Sequence, residues 1–170
     1  MDVAKADIRV LSSMDLEYYR YHLRRLVSQG RSGHPGLVDD NSVDSYCLRL
    51  MSECVVIVGA YVDETMRGAV QILFDHTRLR ADAFLSIEQE FQYRDFDRTL
   101  LASAIDLSRS HGMTDLTLDA QTDNTEMGEL VVERGGVLTI SDSKPRFRIA
   151  FSGHPTVIDE TDADIRTLAS

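Results

Sequence analysis

The residues best placed to do chemistry lie between 84 and 101, Phe-Leu-Ser-Ile-Glu-Gln-Glu-Phe-Gln-Tyr-Arg-Asp-Phe-Asp-Arg-Thr-Leu-Leu. An apolar, β-prone run passes through a charged turn into a helix whose Leu100, Leu101, Ala104, Ile105 and Ser108 share one face. A strand that feeds a helix through a short turn points backbone N–H groups and the positive end of the helix dipole at one spot, which suits a phosphate. Such turns usually carry glycine, so that a ligand can approach the backbone. Here the turn carries Tyr93, Asp95 and Asp97 instead. An aspartate just before a helix has a second use, because its carboxylate accepts orphan helix N–H groups, worth ~0.5–2 kcal/mol. On that reading Asp97, or Asp95 with Arg98 nearby, fills the anion site from within.

Other chemistries lack the residues they need. His22, His34, His76, His111 and His154 are scattered without ligand spacing, so no metal site is expected. No Gly-x-Ser-x-Gly elbow accompanies a histidine, and 159–164 lacks the glycine and terminal glutamate of a calcium loop. Cys47 and Cys54 make neither a disulfide framework nor a zinc set and read as small buried hydrophobes. The formal charge of -10 argues against nucleic acid, whose binding depends on clustered Lys and Arg. Arg20, Arg24, Arg25 and Arg31 form the one basic cluster, the first three near one side of a helix. They either pair with the excess acid or form a patch for an anionic ligand.

These residues need a scaffold, and a chain of 170 residues is long enough to bury a core without staples. No apolar run approaches the ~20 residues of a membrane helix. The first residues lack the basic-then-apolar pattern of a signal peptide, so a cytoplasmic protein is expected. Residues 1–152 read as one domain and 153–170 as an acidic, solvated tail.

Residues 6–11 alternate as a first strand, and Ser12 or Ser13 caps a helix carrying Leu16, Tyr19, Leu23, Leu26 and Val27. A loop at 31–40 leads to a short helix ending near Ser52. Residues 54–62 and 68–74 form a hairpin turned back at Asp63-Glu64-Thr65-Met66, and 81–87 is the next strand. After the central helix, capped by Gly112, come a strand at 116–119, a helix at 124–134 and a closing hairpin of 137–140 and 147–151. The order β α α β β β α β α β β is a mixed α/β layer fold. Its middle strands are antiparallel, with a parallel neighbour where the helix after Asp97 crosses over to Leu116.

This order, and residues 83–138 in particular, resemble the GNAT superfamily of acyl-CoA-dependent N-acyltransferases. Members carry a Gln/Arg-x-x-Gly-x-Gly/Ala turn between strand and helix, for which this chain has Gln92-Tyr93-Arg94-Asp95-Phe96-Asp97. Downstream they carry Asn-x-x-(apolar)-x-x-Leu before a helix-ending glycine, matched here by Asn124, Met127, Leu130 and Gly135. Both signature glycines are aspartates here, and Val131 stands where many members have the tyrosine that protonates the leaving thiolate. The resemblance implies a mostly antiparallel sheet of about six to seven strands flanked by about four helices.

The resemblance also implies a chemistry: attack of an amine, from a small molecule or a protein, on the thioester of acetyl-CoA or another acyl-CoA, with no metal. Glu88 is the implied base, Ile87 and Gln89 supply amides that polarise the thioester, and Asn124 contacts the pantetheine arm. Gln92, Tyr93, Arg94, Asp95, Phe96, Asp97 and Arg98 form the pyrophosphate turn. An aspartate there adds like charge, costing about 3 kcal/mol per pair at ~5 Å and an effective dielectric of ~20, before screening. Two functions follow from this tension: an N-acyltransferase with weakened cofactor binding, or a non-catalytic module on the same fold that has lost CoA. Homodimers suit either, through sheet edges and apolar hairpins; neither involves nucleic acid or membrane.

Overall fold

The structure, a computed structural model, describes residues 6–31, 34, 36–53, 55–92, 95–119 and 125–151. Cys54, Tyr93, Arg94, Asn124 and the tail 153–170 lie outside the described residues, so the expectations placed on them are not taken further as structure. The described elements are β1 (Asp7–Val10), α1 (Leu16–Ser28), α2 (Asp40–Leu50), β2 (Val55–Val62), β3 (Thr65–Asp75) and β4 (Arg80–Ile87). They continue as α3 (Phe96–Ser110), β5 (Asp115–Asp119), α4 (Thr125–Glu133), β6 (Val137–Ser141) and β7 (Lys144–Ala150). The strands form one mixed sheet in the order β1-β2-β3-β4-β5-β7-β6, and β4 with β5 is its parallel pair. Element order, fold class and the parallel neighbour agree with the sequence reading.

Local chemistry sets the ends of these elements. Ser12 donates its N–H to Asp15 Oδ2 at 3.0 Å, opening a 3-10 turn at Ser13–Asp15 that runs into α1. Asp39 accepts the Ser42 N–H at 2.7 Å and caps α2. Gly112 and Gly135 take the left-handed conformation after α3 and α4, with φ of 77° and 79°. The β2–β3 and β6–β7 turns use non-glycine pairs, Asp63–Glu64 and Asp142–Ser143, with all four φ positive. That is the twist-matched turn between antiparallel strands.

Alternation along the central strands divides the core in two. Val70, Ile72 and Phe74 of β3, with Ala81, Ala83 and Ile87 of β4, pack against Leu100, Leu101, Ala104 and Ile105 of α3 and Val131 of α4. On the other face Ala69, Met66 and Ile57 meet Tyr19, Leu23 and Leu26 of α1 and Val43, Cys47 and Leu50 of α2. The parity of β4 therefore sends Ile87 toward α3, and Ser86 and Glu88 toward α1. Among the described residues β4 has partners on both edges over 80–83, where it meets 115–118 of β5. Over 84–87 it keeps only its β3 partners, Gln71, Val70, Ala69 and Gly68. The parting of β4 from β5 opens the sheet at the end that carries the candidate residues. No helix among the described residues is long and apolar enough to cross a membrane.

Candidate functional site

Glu88 follows the last residue of β4 and is 4% exposed. Arg25 donates from Nε to its Oε1 at 2.8 Å, and Arg67 of β3 donates to its Oε2 at 3.0 Å. The Nδ1 atom of His22, one turn before Arg25 on α1, lies 3.5 Å from Oε1. Burial by itself would raise the carboxyl pKa, but the contacts from His22, Arg25 and Arg67 outweigh it and hold the group down at about 2. A carboxylate held in its ionised form by two guanidinium groups has little affinity for a further proton. Its structural part is clear: it ties α1 to β3 and to the end of β4.

The same corner holds residues the sequence reading left among the scattered histidines. His22 is fully buried, with Nε2 3.0 Å from Ser86 Oγ and 3.1 Å from the Ser86 carbonyl. Deeper on this face the Gln71 carbonyl oxygen accepts both the Tyr19 hydroxyl at 3.1 Å and the Tyr46 hydroxyl at 2.6 Å. His34 lies against Tyr46 and Phe84, with ring centroids 4.8 and 5.0 Å away. Spacing held one signal for this cluster, since Ser86 and Glu88 are two apart on a strand and His22 and Arg25 three apart on a helix.

The strand–helix turn keeps some expected features and changes others. Glu88 donates its backbone N–H to the Arg67 carbonyl at 2.9 Å and begins a 3-10 turn over Gln89–Phe91. Gln92 folds back, and its side-chain amide donates to the Ile87 carbonyl at 3.2 Å. Asp95 is exposed and sits at the head of α3 with φ 60° and ψ -9°, a conformation glycine adopts freely and aspartate tolerates. The backbone thus keeps a glycine-like path while carrying a carboxylate. Asp95 stands at the cap position, yet its side chain accepts no helix N–H; its backbone carbonyl takes the Thr99 N–H at 2.9 Å. Phe96 packs on Phe91, with ring centroids 5.6 Å apart, and Asp97 is 6% exposed in the first turn of α3.

A cavity of about 250 Å³ opens beside this turn, lined by Asp95, Asp97, Arg98, Glu126, Glu129, Leu130 and Glu133. Arg98 turns to Glu133 at 3.0 Å rather than to Asp95. Five carboxylates and one paired guanidinium give this wall a negative field where the helix dipole alone would favour an anion. Nor do the α1 arginines supply a compensating patch. Arg24 forks onto Asp44 at 2.7 and 2.8 Å, Arg20 meets Glu17 at 2.6 Å, and Arg25 is held by Glu88. Val131 is buried in the core and offers no proton donor. Burial pushes the Cys47 thiol up to about 11, so it is inert at neutral pH.

Comparison with solved structures resolves the fold. An acetyltransferase of Salmonella typhimurium, putative by name and solved with acetyl-CoA, superposes with a TM-score of 0.69 at 13% identity, covering 89% of this chain and 97% of its own. A phosphinothricin acetyltransferase of the GNAT superfamily from Sinorhizobium meliloti, also with acetyl-CoA, gives 0.69 at 13% identity, covering 91% and 95%. The chain has the GNAT fold. A spermidine N-acetyltransferase chimera, built from Vibrio cholerae and hSSAT, gives 0.62 at 18% identity, covering 86% and 95%. No protein-family model matches the sequence, and no curated protein matches it either. At these identities the likeness carries the fold, and residue roles rest on this chain's own geometry.

Proposed function

We propose that this chain is a GNAT-type N-acyltransferase that moves an acyl group from acetyl-CoA or a longer acyl-CoA to an amine, with a weakened hold on the cofactor's phosphates. The observation that carries this reading is the parting of β4 from β5, which leaves 84–87 paired on the β3 edge alone. An extended, amide-bearing arm such as pantetheine can add to a strand edge of that kind as a further strand would. On this reading backbone amides at Ile87 and Gln89 polarise the thioester carbonyl, and the turn from Gln92 through Tyr93, Arg94, Asp95, Phe96 and Asp97 to Arg98 faces the pyrophosphate. Asn124 serves the pantetheine arm. Two neighbours of the same fold are held with acetyl-CoA and a third is named for spermidine, which supports an amine as acceptor.

The test is amine-dependent release of free thiol from acetyl-CoA, across a panel of a polyamine, free amino acids and a peptide with a free N-terminus. Turnover with at least one amine is expected; no release with any of them at millimolar acetyl-CoA sinks the reading. The acid-lined cavity favours one alternative, a module on this fold that no longer takes CoA and binds a partner instead. The two part on acetyl-CoA binding, which only the first requires.

A further inference from the structure

We propose that the acceptor is an amine that also carries a carboxylate, of the amino acid class, and that Arg25 and Arg67 bind this carboxylate beside Glu88. This names the acceptor of the acyl transfer proposed above and rests on that reading. Two guanidinium groups converge on one carboxylate at the end of β4. Arg25 donates from Nε to Glu88 Oε1 at 2.8 Å, and Arg67 donates from Nη1 to Oε2 at 3.0 Å. Two cations and one anion leave the corner with one positive charge in excess, in a chain whose formal charge is -10. His22, the third group facing Glu88, is neutral or cationic and can only add to that excess. The acid-lined cavity belongs to α3 and α4, which pack on the other face of the sheet from α1.

The anion of the corner is buried and its cations are not. The Glu88 side chain is 6% exposed, whereas those of Arg25 and Arg67 are 33% and 32% exposed. Donors remain free on both. Arg25 gives Nη2 to the Met66 carbonyl, but its Nη1 and the Nη2 of Arg67 have no acceptor among the described residues, and neither atom is buried. Arg67 is the less satisfied of the two. Its guanidinium lies over the Phe91 ring at 5.2 Å, and its Nε is buried without a partner. A buried donor without an acceptor is uncommon and costly, and an anion that draws Arg67 round supplies one.

Placement joins this corner to the reaction. Arg67 comes one residue before Gly68, the β3 partner of Ile87, and its carbonyl accepts the Glu88 N–H at 2.9 Å. The two arginines thus stand next to the Ile87 and Gln89 amides to which the thioester carbonyl is assigned. Because they hold the two oxygens of one carboxylate, their guanidinium groups are near enough to share a second. An amino acid seated there by its carboxylate presents its amine to the thioester. A polyamine would meet the excess positive charge with a second ammonium. Arg25 and Arg67 are therefore the specificity-determining residues, and Glu88 fixes where they stand.

The experiment measures kcat/KM by thiol release from acetyl-CoA for wild type, Arg67→Gln and Arg25→Gln. The acceptors are glycine, leucine, phenylalanine and glutamate, each beside its α-amide, with rates referred to the unprotonated amine. Wild type is expected to prefer at least one amino acid over its amide by roughly tenfold to a hundredfold, the worth of a charge-assisted hydrogen bond. Arg67→Gln should bring that ratio to within about threefold, whereas a merely structural loss lowers both acceptors together and leaves the ratio intact. The wild-type ratio decides the matter if neither variant folds. Ratios within about threefold for every pair in an active wild type overturn this inference and leave acyl transfer standing. Calorimetry with the same amino acids and amides, in the absence of acetyl-CoA, separates the remaining cases. Amino acid binding that the amide and Arg67→Gln lack, in a protein that releases no thiol, supports the carboxylate site and overturns the acyl-transfer reading. Neither binding nor thiol release overturns both.

Discussion

Replacing Glu88 by glutamine keeps the shape of the side chain and removes the charge that Arg25, Arg67 and His22 converge on. The carboxyl pKa falls from an ordinary 4.5 to about 2, and one unit corresponds to 1.36 kcal/mol, so the ionised form contributes about 3 kcal/mol to the folded state at neutral pH. Its side chain is 6% exposed, and solvent screening takes little from that figure. Loss of the charge also leaves two guanidinium groups facing each other without an anion between them. For a chain of this length the expected fall in Tm is roughly 6–12 °C. The assay is denaturant unfolding of wild type and Glu88→Gln over a pH series. Because the folded pKa is depressed, the contribution is complete above the unfolded value of 4.5 and is lost as pH falls toward about 2. The gap between the two proteins should therefore be widest at pH 7 and close over that window. A Glu88→Gln protein within about 0.5 kcal/mol of wild type at pH 7 would refute the reasoning.

Two further outcomes follow from the packing around the site. Asp95→Gly should stabilise the fold by about 1 kcal/mol, since φ 60° is strained for a side chain, whereas Asp95→Asn should leave stability nearly unchanged. Both should tighten acetyl-CoA binding, by about fivefold once the Coulomb cost is discounted for exposure, and equal affinities in all three proteins would contradict a repulsive Asp95. Gln71→Leu strips two buried tyrosine hydroxyls of their shared acceptor and should cost about 2–4 kcal/mol, read by the same unfolding assay. A cost below about 1 kcal/mol would mean that those hydroxyls find other partners.

Local chemistry made much of the fold readable. The β-prone run at 81–87, the left-handed glycine at Gly112 and the polar stretches at 63–66 and 141–145 are short-range signals; strand and cap lie where the sequence put them, and the turns fall inside those stretches but are tighter, with β3 and β7 starting at Thr65 and Lys144. The buried corner around Glu88 depends on long-range contact and was hidden. His22 and Ser86 are 64 residues apart, and nothing near either one announces the other. Glu88 was visible as a carboxylate at a strand end, but its two arginine partners, which decide its proton affinity, come from α1 and β3. The substitution of both turn glycines was legible, while the acid that α4 adds through Glu126, Glu129 and Glu133 depended on which face that helix turns toward α3.

The most direct measurement is a calorimetric titration of the full chain with acetyl-CoA at about 0.01 M and about 0.15 M salt, over which the screening length falls from about 30 to about 8 Å. On the acyl-transfer reading, the five carboxylates beside the head of α3 would repel the cofactor's phosphates, and salt would weaken that repulsion. The expected result is saturable one-to-one binding that tightens as salt rises, the reverse of a basic phosphate cradle. No binding at millimolar acetyl-CoA in either buffer would contradict the acyltransferase account, and affinity that falls with salt would contradict the acidic cleft.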